Sequence, residues 1–337
     1  MAAAATGIAL SLLCAELVVR QVYYIPWELD PEFGCIVLPG TTARYRLEGN
    51  GVSHWTLHGV RALRPPDPSL SSVLVLGDSF TEAYMVDDAD SFPVRLERDL
   101  TARTIPLSVI NAGRSAASPA DYTADADRNR RYFNPRWVVI QLNEDDLTGD
   151  AWSPDKAHFV VQGDRLVAEP GAPRTQSALG RSVWRMRQSS ALLHYGIIRV
   201  QEFADATRHA PPLFFATEHV TASATRAFDD AAIAAELEAM VTAYGGHVTF
   251  MLLPTFDPLH AGVVDSVEMA FASACRQNTW SCVNLRAGYT WFAVRHLSPF
   301  GFANSSFNVG HMNVLGHRLA ARLLAKELRR LWVHALL

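Results

Sequence analysis

Ser79 and His311 are the two side chains whose settings in the sequence are suited to nucleophilic chemistry. Ser79 stands in the run VLVLGDSF, where a continuous apolar stretch meets Gly77 and Asp78. A serine directly beyond a buried strand sits at the carboxyl edge of an α/β sheet, where ligands bind. Glycine before it permits a tight turn, and the Ser79 amide can face the same pocket as its hydroxyl. The same residues also read as an ordinary strand-to-helix turn with an Asp or Ser cap. His311 lies in FNVGHMNVLGHRLA, in a Gly-flanked loop two residues before a helix start at Asn313. A serine hydroxyl is a poor nucleophile without a base in hydrogen-bond reach, and an imidazole placed there can supply one. His317, four residues on and within the helix, reads as a packing histidine.

The elements that must position these groups alternate. Short apolar runs at 72–77, 107–111, 137–142, 248–254 and 282–285 are Val-, Ile- and Leu-rich, as strands buried on both faces are. Between them helical patterns cover about 91–102, 119–133, 224–244 and 262–277, with a last helix from Asn313 to about Trp332. Ser91 with Pro93 just inside, and Asn313, mark helix starts. The alternation predicts an α/β fold, a doubly wound three-layer sandwich on a parallel sheet of five strands. Residues 150–222 break the rhythm as an insertion or lid. Within them HFVVQGDRLVAEP predicts a hairpin turning at Gly163 and Asp164, and 176–207 predicts helix.

Composition narrows the classes. With 49 % hydrophobic and 19 % charged residues the chain has material for a large core rather than disorder. A net charge of -4 without a basic cluster argues against a nucleic-acid partner. Residues 1–20 are uncharged apart from Glu16 and Arg20 and mostly apolar, long enough for a membrane anchor; a signal sequence and a buried core helix are the alternatives. Residues 21–70, rich in aromatic and turn residues, form an ordered lead-in, and the α/β domain occupies 71–337. Of the four cysteines, Cys275 and Cys282 are close enough in sequence to bridge the loop between a helix and a strand, as a disulfide outside the cytoplasm or as buried thiols inside.

GDSF after the first strand, INAG after the second, a polar block after the third and the GHxNxxGH spacing before the last helix resemble the SGNH or GDSL hydrolase family. The apolar start, HGVRA, and GDSFTEAYMVDDADSFPVRLE resemble its membrane-anchored bacterial members. The resemblance implies a flavodoxin-like, mainly parallel five-stranded α/β/α sandwich. It makes Ser79 the nucleophile, His311 the base, and the Ser79 and Gly113 amides part of an oxyanion hole, with acyl transfer through a covalent acyl-enzyme and no cofactor. Two positions depart from it. The family's GxND block places Asp145 where an oxyanion-hole asparagine is expected, with Asn143 the alternative if the loop register shifts by two. Its DxxH block places Asn308 where the acid should be; Asn308 could orient the ring through its side-chain oxygen, or another acid, Asp257 among them, could serve.

The expectation is therefore a membrane-anchored, extracytoplasmic (periplasmic) esterase or O-acyltransferase. Its substrate would be an acyl ester, acetyl first among them, of a saccharide or other polar molecule. The two departures also fit a catalytically impaired relative that binds a glycan or partner in surface-polymer assembly. Arg20 on the C-terminal side of the apolar run opposes the extracytoplasmic placement by the positive-inside rule. His54 and His58 have a helical metal spacing but sit among turn formers without an acidic third ligand, so no metal is expected. Glu144, Asp145, Asp146 and Asp150 lack the pattern of a calcium loop, and Asp87, Asp88 and Asp90 read as a solvated turn.

Overall fold

The computed structural model describes residues 2–30, 34–56, 59–62, 66–67, 69–103, 105–149, 156–171, 178–208 and 230–335. The five apolar runs form one sheet: β1 Ser71–Leu76, β2 Leu107–Asn111, β3 Trp137–Asn143, β4 Val248–Leu253 and β5 Ser281–Asn284. All neighbours are parallel, and the order is β5-β4-β3-β1-β2, the flavodoxin-like order. Alternation along β1 divides the core. Val73 and Val75 pack on one face with Phe92, Leu96, Ala320 and Leu324. Leu74 and Leu76 pack on the other with Leu237, Met240 and Phe271. Both faces are covered by helices, so the molecule is the expected three-layer sandwich, and every polar turn at the strand ends is pushed to an edge.

Helix boundaries follow their caps. Phe92–Thr101 starts after Ser91 with Pro93 in its first turn. The helix predicted over 119–133 is two, Pro119–Ala124 and Ala126–Phe133, broken at Asp125. The pattern at 262–277 becomes helical only at Ser266, because the Asp265 side chain caps that turn by accepting from the Glu268 amide. The helix predicted over 224–244 is described from Asp230 to Tyr244; its earlier part, and 209–222 of the insertion, lie outside the described residues. In the insertion, His158–Gln162 and Arg165–Glu169 pair around Gly163 and Asp164. The predicted helix at 176–207 is Ala178–Ser189 followed by Ala191–Arg208. Cys275 and Cys282 are disulfide-bonded.

The lead-in folds onto the carboxyl edge of this sheet. Tyr23–Tyr24, Thr42–Tyr45 and Gly51–His54 form a small antiparallel sheet, and Trp27–Asp30 pairs with Gly34–Val37. Tyr23, Ile25, Val37, Ala43 and Trp55 bury themselves around Tyr84 and Met85, which lie just beyond the GDSF turn. A backbone bond from the Arg61 amide to the Asn111 carbonyl joins the lead-in to the end of β2. Preceding it, the helix Ala2–Val22 is long and apolar enough to cross a membrane.

Candidate active site

Ser79 is the first residue of a single-turn helix, Ser79–Glu82, capped by Asp78. The turn is held from below. A Cβ on Gly77 would fall 2.1 Å from Thr81 Oγ1 and 2.5 Å from Gln141 Oε1, so only glycine lets the chain pass there. Thr81 Oγ1 donates to Gln141 Oε1 at 2.9 Å, and Asn111 Nδ2 donates to the Thr81 carbonyl at 2.9 Å. At the first helical position the Ser79 amide has no intrahelical acceptor and is available to a ligand.

The structure brings His311 to Ser79: Nε2 lies 3.0 Å from Ser79 Oγ. His311 is not in a loop but on the strand Phe307–Met312, paired with Phe300–Gly301. The helix behind it starts at Val314, where Asn313 Oδ1 accepts from the Leu315 and Gly316 amides. The Phe80 ring packs 5.2 Å from the imidazole. His317 is buried, accepts from the Phe92 amide at 3.3 Å and stacks on that ring. Burial pushes it down to about 3, so it stays neutral.

The acid beside His311 comes from the lead-in, far from it in sequence. Glu48, in the lead-in, sets Oε2 2.6 Å from His311 Nδ1, and its Oε1 accepts from the His311 amide at 2.8 Å. Neither Asn308 nor Asp257 fills this position. Asn308 has a left-handed backbone, φ 66°, and Asp257 pairs with His260 at 2.6 Å. Burial pushes the Glu48 carboxyl up, but its hydrogen bonds to His311 and the attraction of that ring outweigh burial and hold it below the ordinary value. An ionised Glu48 only accepts, so Nδ1 carries the proton and Nε2 presents its lone pair to Ser79.

Two glycines and one asparagine fix Glu48. A Cβ on Gly310 would sit 2.3 Å from Glu48 Oε1, at φ +84°. Gly49, at φ +76°, leaves no room for one against the Met85 carbonyl. Asn304 Oδ1 accepts from the Gly49 amide at 2.9 Å, and its Nδ2 donates to the carbonyls of Arg46 and Gly49. A sequence clue existed in the acid followed by Gly-Asn-Gly in RLEGNGV, but the pairing spans 263 positions.

The structure does not bring Asp145 to the site. β3 continues through Asn143, whose side chain caps a short helix, Glu144–Thr148, in a capping box with Asp146. The loop assumed by counting along the strand is thus a helical turn, and Asp145 faces solvent on it. Asn143 instead donates from Nδ2 to Asp78 Oδ2 at 2.8 Å, touching the nucleophile turn. Gly113 has a packing reason to be glycine, since a Cβ would lie 2.4 Å from the Glu82 amide. Its own N–H donates to Asn111 Oδ1 at 3.0 Å, so in this arrangement that amide is engaged rather than offered to an oxyanion.

Asp78 is the titratable group next to Ser79 in sequence. Burial pushes its carboxyl up to about 6, against the Phe80 amide, the His311 charge and the Asn143 amide. The folded chain then binds this proton more tightly than the unfolded chain, whose ordinary value is 3.8. Its contribution to stability is greatest below 3.8, falls as pH rises toward 6, and is constant above. Asp78→Asn lacks that titration. Its stability relative to the parent is therefore expected to improve by about 2 kcal/mol between pH 4 and pH 7. Chemical unfolding of both proteins across that range checks this, and a constant difference would refute it.

Several other acids have structural partners. Asp88, read as part of a solvated turn, is buried and accepts from the His54 ring and from Arg61. His58 and Asp150 lie outside the described residues. Glu144, Asp265 and Glu268 converge, and Arg286 brings its guanidinium 2.6 Å from Glu268 and 3.6 Å from Glu144.

No protein-family model matches this chain, and no curated protein matches it. Among solved structures it is similar to a protein described as TesA, at 14 % identity and TM-score 0.41, covering 77 % of this chain and 99 % of that one. It is also similar to a lipase/acylhydrolase from Enterococcus faecalis (14 %, TM-score 0.41, 77 % and 96 %). A mutant of an acetylxylan esterase from Geobacillus stearothermophilus gives 14 %, TM-score 0.40, 76 % and 93 %. Likeness at these values says nothing about what this chain acts on.

Proposed function

We propose that this chain is a membrane-anchored serine ester hydrolase or O-acyltransferase of the SGNH type, acting on acyl esters of a saccharide or other polar substrate. The observation that carries the reading is the continuous relay Glu48–His311–Ser79 at the carboxyl edge of the sheet, with contacts of 2.6 and 3.0 Å. In the reaction His311 Nε2 takes the Ser79 proton as Oγ attacks the ester carbonyl. Glu48 holds the Nδ1 proton and stabilises the imidazolium. The developing oxyanion is received at the Ser79 amide. Collapse expels the alkoxide, which takes the proton from Nε2 and leaves an acyl-serine. Water or an acceptor hydroxyl, deprotonated in turn by His311, then attacks the acyl carbonyl, and Ser79 Oγ leaves, taking the proton back from Nε2.

The impaired-relative reading rested on the two departures. Glu48 answers the missing acid, and Asn143 places an amide at the nucleophile turn where Asp145 would have placed a charge. For location, the Cys275–Cys282 disulfide supports an oxidising compartment. Arg20, whose charge favoured a cytoplasmic domain, is paired with Glu16 at 2.7 Å, which weakens its vote.

The test is labelling of the detergent-solubilised full chain with a fluorescent fluorophosphonate, beside Ser79→Ala as control. Covalent labelling of the parent alone is expected. A folded parent that takes no label at any pH from 5 to 9 would return the chain to the binding-only reading.

A further inference from the structure

The insertion helix Ala191–Arg208 has two apolar faces. One, through Ala191, His194 and Ile198, packs on the lead-in, where His194 stacks on Tyr23 at 5.5 Å. The other runs through Leu193, Ile197 and Val200, with Leu193 40 % and Val200 68 % exposed. With Leu12 and Leu13 of the N-terminal helix this stripe lines an apolar groove of about 970 Å³.

Charge in the N-terminal helix is spent on the start of this insertion helix. Glu16 accepts from the Ala191 amide at 2.9 Å, the Leu192 amide at 2.8 Å and Ser190 Oγ at 2.8 Å. The Leu193 amide donates to Ser190 Oγ at 3.1 Å, and Arg20 donates to the Ser189 carbonyl at 2.8 Å while pairing with Glu16. In water a helix start needs no such set of acceptors, because solvent supplies them. In hydrocarbon each unmade bond costs several kcal/mol and must be satisfied internally. Glu16 lies six residues before the helix end at Val22, about 9 Å along the axis at 1.5 Å per residue. A spanning N-terminal helix therefore carries Ser190–Leu193 below the level of its own end.

We propose that the first turns of the insertion helix lie in the membrane leaflet that holds the C-terminal half of the N-terminal helix, and that lipid acyl chains fill the groove between them. The inference rests on the membrane-anchor reading. Glu16 and Arg20 are then the device that satisfies a helix end within the bilayer, not a defect in an anchor.

The experiment uses the full chain with Cys14→Ala and Cys35→Ala, reconstituted in phosphatidylcholine and phosphatidylglycerol vesicles containing acyl-chain nitroxide lipid. An environment-sensitive fluorophore is attached in turn at Leu13→Cys, Leu193→Cys and His247→Cys, the last exposed in the turn before β4. The expected result is quenching at position 193 to at least half the extent at 13, with none at 247. Adding Glu16→Ala is expected to abolish quenching at 193 and preserve it at 13. Quenching at 13 alone in the parent would overturn the inference and leave the anchor standing. Quenching at neither would overturn both. Blue-shifted but unquenched emission at 193 would mean that another protein surface, a second copy included, covers the stripe, and would equally overturn it.

Discussion

Replacing Glu48 by glutamine is expected to lower the rate constant of serine acylation about 10³- to 10⁴-fold while leaving the fold intact. The carboxylate accepts two hydrogens, one from Nδ1 and one from the His311 amide. Glutamine can accept only through one oxygen and must turn an NH₂ group toward a donor, or force Nδ1 to give up its proton. In the second case the proton moves to Nε2, and the ring can no longer accept from Ser79. Wrong-tautomer substitutions of this kind in serine hydrolases cost about four orders of magnitude. Glu48→Asp keeps the charge but is one methylene short, so it cannot reach both donors, and an intermediate loss is expected. Single-turnover acylation with a chromogenic acetyl ester measures both variants. Glu48→Gln acting within threefold of the parent would mean that the acid is not part of the machinery. A purely structural role would lower thermal stability in step with rate, and the Glu48→Asp comparison separates the two.

The second large effect concerns stability. Arg61 is 1 % exposed, and its guanidinium reaches Asp88 at 2.8 Å and the carbonyls of Glu82 (2.9 Å), Ala83 and Val86 (2.7 Å). It therefore holds the segment that follows the Ser79–Glu82 helix in one shape and ties it to the lead-in. Arg61→Ala takes a donor from three carbonyls and removes the cation from the buried Asp88, which keeps only its contacts to His54; a broken buried ion pair costs about 3 to 5 kcal/mol. For a chain of this size the melting temperature is expected to fall by roughly 5 °C. Arg61→Lys is expected to recover little, because one ammonium cannot spread over four acceptors as a planar fork does. A calorimetric midpoint within about 2 °C of the parent would refute the assignment.

How far the sequence could be read depended on the range of the interaction. The five strands were legible because burial on both faces demands unbroken apolar runs, a local property of residues such as Val73 to Leu76. Cap-determined edges were partly legible: Ser91 and Asn313 stood out, whereas Asp265 and Asn143 moved their helix starts away from the apolar pattern. Ser79 and His311 were visible through their settings at the first strand and before the last helix. Asp145 misled because a count along a strand assumes where the strand stops. That point was set by the side chain of Asn143 bonding its own helix start.

By itself, then, the amino-acid order determined a parallel α/β sandwich, a serine at the carboxyl edge of its first strand, and a histidine near its last helix. Hydrophobic periodicity and turn chemistry act over a few residues and leave their mark there. Only the tertiary structure decided that Glu48 meets His311, that Arg61 clamps the segment after Ser79, and that Glu16 caps the insertion helix. Each of these is a polar group satisfied by a partner far along the chain. A carboxylate's own sequence neighbourhood does not record which distant hydrogen it will accept.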